Sequence, residues 1–296
     1  MRSIFSLVIA AGREFMQDRA MAYAAAIAYY TALSFAPLVL LLLTVGSFLG
    51  EGTSNELISF FQSQVGEQAG AVTETVIEEG GPRQEEQAWW RVVLSIGLLL
   101  FSASGVFAQL QASLNYIWEV EALPGQGVWG FVRKRLLSLG MVLTILFILL
   151  VALVVSSVLE QFVPGDSEVA ARVTSAISSF LVATALFAAI YKVLPDAEIA
   201  WRDVWLGAGV TSLMFTLGKL GISLYLQHGS ATKDYGAAAG SLIALLIWVY
   251  FAAVIFFFGA EITQEVAKRR GVGIRPSRHA RRMPQCNTDD ARPKPT

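Results

Sequence analysis

The chain has 296 residues, of which 55% are hydrophobic and only 15% are charged, and its formal net charge is −1. Because an ordinary soluble domain carries about a quarter charged residues, this composition excludes that class and indicates a polytopic membrane protein. The single cysteine, Cys286, excludes an internal disulfide, and His228 and His279 are too few for a histidine-rich metal centre. We therefore expect no metal and no cofactor.

The N-terminal segment begins with a base and continues into a short apolar run. A cleaved signal peptide and an uncleaved helix are both compatible with this start. Arg13 and Glu14 follow the apolar run at once, where a cleavage site would be expected, so the uncleaved helix is favoured. Its apolar positions share one helical face, which predicts an interfacial helix within residues 1–25: Ile4, Leu7, Val8, Ala11 and Phe15.

Six apolar segments follow, each long enough to cross a hydrocarbon core of roughly 30 Å at about 1.5 Å per residue. The predicted fold class is therefore an all-α integral membrane protein, a bundle of six transmembrane helices within residues 26–267. The predicted spans are 26–49, 89–117, 136–159, 173–194, 204–226 and 237–262. An acidic segment, 51–88, separates the first two spans. The basic segment 268–296 is predicted to be a disordered tail.

The distribution of basic residues predicts the orientation. With six spans, both termini lie on one side, and that side takes most of the 22 Lys and Arg residues. The positive-inside rule then places both termini in the cytoplasm and the acidic segment 51–88 on the outer side.

A polar stripe on the fifth span is the candidate substrate site. Its members recur at helical spacing and place one ammonium among hydroxyl groups: Ser212, Thr216, Lys219 and Ser223. Two interpretations remain open for Lys219. It could line a wet or anion-binding cavity, or its stem could reach the headgroups from within the span.

A second group of polar residues lies toward the cytoplasmic side and forms a predicted inner polar layer of Gln111, Asn115, Lys192, Arg202 and Glu261. Glu261 ends the sixth span, where a charge is costly and a partner is expected. Lys192, Arg202 and Arg19 are the candidate partners in a structural ion pair. A role in gating or proton coupling is the alternative.

Two further features concern helix packing and opening. Pro37 removes one helical hydrogen bond in the first span, which predicts either a gate or a packing kink that Ser34 helps to satisfy. Gly236 and Gly240 form a GxxxG match that predicts close packing against a neighbouring helix.

Four segments resemble the YihY/BrkB-like family of bacterial inner-membrane proteins: DRAMAYAAAIAYYTALSFAP, SASGVFAQLQASLNYIW, IYKVLPDAEIAWRDVWLGAG and DYGAAAGSLIALLIWVYFAAVIFFFGAEI. The resemblance covers roughly residues 15–265. It implies a six-helix protein of the bacterial cytoplasmic membrane without an agreed activity. Members have been called virulence or serum-resistance factors, and some have been suggested to export envelope lipids. The family has also carried a ribonuclease BN label.

The chemistry of the chain does not fit that label. A zinc nuclease needs clustered ligands, and a nucleic-acid protein needs a basic domain, so we expect neither an enzyme nor a nucleic-acid partner. The favoured function is transport or translocation of an amphipathic or anionic envelope compound such as a lipid. The alternative is a non-transporting scaffold that organises envelope machinery through the 51–88 loop or the tail. Membrane lipids are the expected partners, with a second copy of the chain or an envelope protein as further candidates.

Overall fold

The computed structural model describes residues 2–49, 97, 105–123, 168–228, 237–271 and 273–283. Several predicted features lie outside these residues: the acidic loop 51–88, the span 136–159, most of the span 89–117, Gly236 and the tail beyond residue 283.

Long helices dominate the described chain, as the sequence predicts. They are α1 (Arg2–Gln17), α2 (Ala20–Leu49), α3 (of which 105–117 are described), α4 (Glu168–Val193), α5 (Trp201–His228) and α6 (Ala237–Arg269). Two of them contain stretches long and apolar enough to cross a membrane by length and composition, namely Ala176–Val193 and Leu242–Arg269. The described residues thus support a helical membrane protein, while the number six remains a prediction.

Among the described residues, four short strands accompany the helices, and the sequence did not predict them. They are β1 (Val120–Ala122), β2 (Ala197–Glu198), β3 (Arg275–Pro276) and β4 (Ala280–Arg282). Strand β1 pairs antiparallel with β4, with Val120 opposite Arg282, and β2 pairs antiparallel with β3, with Ala197 opposite Pro276. The prediction of a disordered tail from residue 268 is therefore wrong for this part. The reason is that the loops after α3 and α4 offer free strand edges, which the basic segment covers.

The N-terminal helix packs on the bundle through one face. Ala11 packs with Ile262 and Val266 of α6, and the rings of Phe15 and Phe258 meet edge to face with centroids 5.8 Å apart. Helix α1 ends at Gln17, and Arg19 takes a left-handed conformation (φ 54°) at the turn before α2. The predicted interfacial segment 1–25 therefore contains one helix, a turn and the start of α2.

Helix α6 is the centre of the described bundle, since α1, α2 and α5 all pack against it. Its backbone carbonyls also accept side-chain hydrogen bonds from two other helical segments. The Trp118 indole Nε1 donates to the Ala260 carbonyl (3.2 Å), and the Tyr191 hydroxyl donates to the Phe256 carbonyl (2.6 Å). These buried aromatic residues therefore fix the ends of α3 and α4 to the middle of α6.

Helices α5 and α6 run antiparallel and approach closely through two matched pairs of residues. A Cβ atom added at Gly207 would lie 1.8 Å from Thr263 Oγ1, and one added at Gly259 would lie 1.8 Å from Thr211 Oγ1. Each threonine hydroxyl donates to the glycine carbonyl one turn earlier in its own helix, at 2.8 Å. The small residues let the backbones meet, and the hydroxyl groups are satisfied locally.

Candidate functional site

Glu261 is a buried carboxyl group in the most enclosed part of α6. Every residue from Gly259 to Gln264 is buried, so neighbouring segments cover the helix on all sides at this level. Glu261 itself is 1% exposed. Neither of its carboxyl oxygens has a hydrogen-bond partner among the described residues. A buried polar group of this kind is rare and calls for an explanation.

Charged groups of α1, of the turn after α1, of the turn after α3 and of the end of α6 act on the Glu261 carboxyl group. Asp18, Glu14, Lys268 and Glu119 all interact electrostatically with its carboxyl group. Lys268 bridges two of them, with its Nζ 3.8 Å from Glu14 Oε1 and 3.4 Å from Glu119 Oε1. We call Glu14, Asp18 and Glu119 the acidic cluster. It is partly exposed and lies next to a carboxyl group that is not.

Among the described residues, Glu261 forms no ion pair with any of its three expected partners. Lys192, one expected partner, donates instead to the Ile199 carbonyl at 2.6 Å and lies 5.5 Å from the centre of the Trp201 ring. Arg19 and Arg202 are both exposed. The turn between α4 and α5 presents a carbonyl group to Lys192, and this local contact holds its ammonium away from Glu261.

Gln111 and Asn115 belong to a different polar cluster from Glu261. Both side-chain amides donate to Asp196 Oδ2, at 3.1 and 2.9 Å, and the Asp196 backbone N–H donates to Asn115 Oδ1 at 2.8 Å. Ser277 in the C-terminal segment donates its N–H to the Asp196 carbonyl at 3.0 Å. Asp196 therefore joins α3, the loop after α4 and the C-terminal segment. Of the predicted inner polar layer, Gln111 and Asn115 gather around Asp196, which the sequence did not indicate, and Glu261 has other neighbours.

The structure places the members of the Lys219 stripe in different environments. Ser212 is buried, and its hydroxyl donates to the Phe180 carbonyl of α4 at 3.1 Å. Thr216 donates to the Ser212 carbonyl at 2.8 Å. Lys219 is exposed, with its ammonium 5.1 Å from the centre of the Phe215 ring, and Ser223 is described only as part of α5. A substrate site at this stripe stays a prediction.

The roles of Pro37 and Ser34 in gating and of Gly236 and Gly240 in close packing also stay predictions. Helix α2 is continuous through position 37, and the Ser34 hydroxyl donates to the Thr31 carbonyl at 2.9 Å. Gly240 lies in the first turn of α6. Among the described residues, close contacts between α5 and α6 occur at Gly207 and Gly259.

The acidic cluster changes the titration of Asp18. Burial, together with the neighbouring Glu14 and Glu119, raises the pKa of Asp18 from 3.8 to about 6, against a smaller opposing effect of Lys268. The folded protein therefore binds a proton at Asp18 more tightly than the unfolded chain does. This contribution to stability is fully present below pH 3.8 and is lost as the pH rises through about 6.

Asp18→Asn tests this titration. We expect the wild-type unfolding temperature to fall as the pH is raised from about 4 to about 7, and the variant to show a shallower slope because residue 18 no longer ionises. Thermal unfolding of the two proteins in the same detergent series measures the difference. Equal slopes would contradict the assignment.

The long apolar helices of the described residues, two of which could cross a membrane by length and composition, indicate a helical membrane protein. The family model described as "Virulence factor BrkB" matches residues 11–284, so the chain belongs to the BrkB family. The resemblance found in the sequence is thereby confirmed.

The curated relatives are bacterial proteins. A UPF0761 membrane protein of Photobacterium profundum is 27% identical over 267 residues, covering 87% of this chain and 80% of that protein. A UPF0761 membrane protein of Vibrio vulnificus is 26% identical, with coverages of 85% and 79%. The putative ribonuclease-like protein YfkH of Bacillus subtilis is 27% identical, with coverages of 83% and 90%. No solved structure matches the chain.

Proposed function

We propose that this protein transports or translocates an amphipathic or anionic envelope compound, such as a lipid, across the bacterial cytoplasmic membrane. The observation that carries the proposal is Glu261, a buried carboxyl group without a hydrogen-bond partner among the described residues. In a purely structural bundle an apolar residue would be less costly at this position. Ionisable residues inside membrane helices commonly mark substrate or ion pathways.

The proposed arrangement has six spans with both termini in the cytoplasm and α1 in the interface. The two faces of α1 suit a position in the interface. One side packs on α6 through Ala11. The other exposes apolar side chains that suit the boundary between headgroups and acyl chains: Phe5, Val8, Ile9 and Met16.

Lys219 supports an anionic substrate. The pairings of Gly207 with Thr263 and of Gly218 with Ile255 set the register of α5 against α6. This register separates Lys219 from the level of Glu261 by about ten residues, or about 15 Å along the helix axis. The two groups therefore act at different depths. In this proposal Lys219 neutralises the charged headgroup and Glu261 belongs to the inner machinery. The proposed function is not enzymatic.

Mass spectrometry of material retained by the full chain in lipid nanodiscs tests the Lys219 site. We expect the wild type and Lys219→Arg to retain an anionic lipid or metabolite. Lys219→Met should retain about tenfold less of it, because only the methionine variant lacks the charge. Identical retention in all three proteins would overturn Lys219 as a headgroup site.

A scaffold is the second candidate, and one observation favours it. The C-terminal segment is ordered through β3 and β4 and exposes four arginine side chains, Arg275, Arg278, Arg281 and Arg282. Arg281 pairs with Glu121 at 2.5 Å. A fixed basic surface of this kind suits an acidic partner protein.

A double charge reversal, Arg278→Glu with Arg282→Glu, separates the two functions. If the protein is a scaffold, the variant loses copurifying envelope proteins and complementation of a deletion strain. If it is a transporter, complementation persists, since neither residue contacts Glu261 or Lys219. Loss of complementation with unchanged membrane abundance would favour the scaffold.

A further inference from the structure

The surroundings of Glu261 disfavour its ionised form. A carboxylate needs hydrogen-bond donors or a cation when it is removed from water. Glu261 is almost completely enclosed and has neither among the described residues, since Lys268 is engaged with Glu14 and Glu119. A neutral carboxylic acid carries no net charge and avoids most of this cost. The position therefore suits a group that holds a proton.

A metal ion fits the position less well than a proton. Calcium and magnesium ions take six or more oxygen ligands. In the described part of the chain, no group of three His, Cys, Asp or Glu side chains could hold a metal ion. A proton needs only one carboxyl oxygen, and Glu261 supplies it.

The acidic cluster offers a path between Glu261 and water. Each packed segment at this end contributes an ionisable group: α1 has Glu14, the following turn has Asp18, the turn after α3 has Glu119, and α6 has Lys268. On α2, Tyr23 packs against the Phe257 ring at 6.5 Å. On α5, Asp203 is already paired with Arg270. The ionisable groups nearest Glu261 are therefore predominantly acidic and can pass a proton among them.

We propose that Glu261 is a proton-binding site, loaded and unloaded through the acidic cluster. In the transfer, the Asp18 carboxylic acid gives a proton to an intervening water molecule, and the hydronium ion so formed gives one to the Glu261 carboxylate. Each step breaks one O–H bond and forms another. The reverse step returns the proton. If the proposed transport function holds, the proton bound at Glu261 is the coupling ion. This consequence rests on the proposed function.

Infrared spectroscopy of the full chain in nanodiscs tests proton binding without any substrate. At neutral pH the wild type is expected to show the C=O stretch of a buried protonated carboxyl group. Glu261→Gln should lose this band. Glu265→Gln is the matched control one turn away, where the carboxylate pairs with Arg269 at 2.7 Å, and it should keep the band. An identical spectrum for wild type and Glu261→Gln would overturn the proposal.

A second measurement uses only the wild-type protein and so does not depend on the folding of a variant. Dicyclohexylcarbodiimide, an apolar carbodiimide, adds to a protonated carboxyl group, and peptide mass spectrometry locates the adduct. We expect an adduct at Glu261 and at least tenfold less at Glu265. No adduct at Glu261 would contradict the proposal.

The two proposals fail in different ways. A proton bound at Glu261 in a protein that moves no lipid would leave the site standing and remove the transport function. If the protein moves lipid but shows neither the C=O band nor the carbodiimide adduct of Glu261, the transport function is supported and the proton-binding site is contradicted.

Discussion

Gly207→Ala is expected to lower the free energy of unfolding by about 3 kcal/mol, because it places a methyl group inside a closed helix contact. The added Cβ would lie 1.8 Å from Thr263 Oγ1 and 2.9 Å from Thr263 Cβ, so α5 and α6 must separate. Their separation would also disturb the matching pair, Gly259 and Thr211. Thermal unfolding in detergent, followed by circular dichroism, measures the loss.

Two further variants make this prediction specific. Gly209→Ala, on the same helix, meets no atom within 4 Å, so we expect a change below about 1 kcal/mol. Adding Thr263→Ala to Gly207→Ala removes the oxygen that clashes and should restore part of the stability. Additive losses in the double variant would mean that the two residues do not meet.

Asn115→Asp is the second prediction with a large effect. Asn115 is 8% exposed, and its Nδ2 lies 2.9 Å from Asp196 Oδ2. An aspartate of the same shape would place two carboxylate oxygens at that distance and remove the donor. We expect a loss of about 3 kcal/mol at neutral pH. The loss should shrink on acidification, because the two carboxyl groups can then share a proton.

Gln111→Glu is the matched control for this variant. It makes the same chemical change toward the same Asp196 oxygen, but Gln111 is partly exposed, so water reduces the repulsion. Its loss at neutral pH should be clearly smaller than that of Asn115→Asp. Equal stability of Asn115→Asp at neutral and acidic pH would contradict the role of Asp196 as the shared acceptor.

The helices could be predicted from the sequence because long apolar runs leave the backbone few alternatives. The close contact of α5 with α6 at Gly207 and Thr211 is a different case. The partner was not predictable, since the match of Gly207 with Thr263 depends on the register of two helices that are separated in the chain.

The strands and the polar clusters were harder to predict. The segment 275–282 is basic and contains proline. Its order comes from pairing with β1 and β2 and from the hydrogen bond of Ser277 to Asp196, all of which are distant in sequence. The sequence does not distinguish Asp196 from an ordinary loop residue, because its contact with Asn115 depends on how α3 packs. For Glu261 the sequence indicated an unusual carboxyl group but suggested basic partners. Local contacts of Lys192 and Lys268 determine that neither pairs with it.

The most direct test of the transport proposal is the movement of a fluorescent phosphatidylglycerol between the leaflets of vesicles containing the purified full chain. For the wild type we expect movement at least tenfold faster than in empty vesicles. We expect a similar rate for Glu265→Gln and a rate near that of empty vesicles for Glu261→Gln. A wild-type rate equal to that of empty vesicles, with the protein folded, would contradict the proposal.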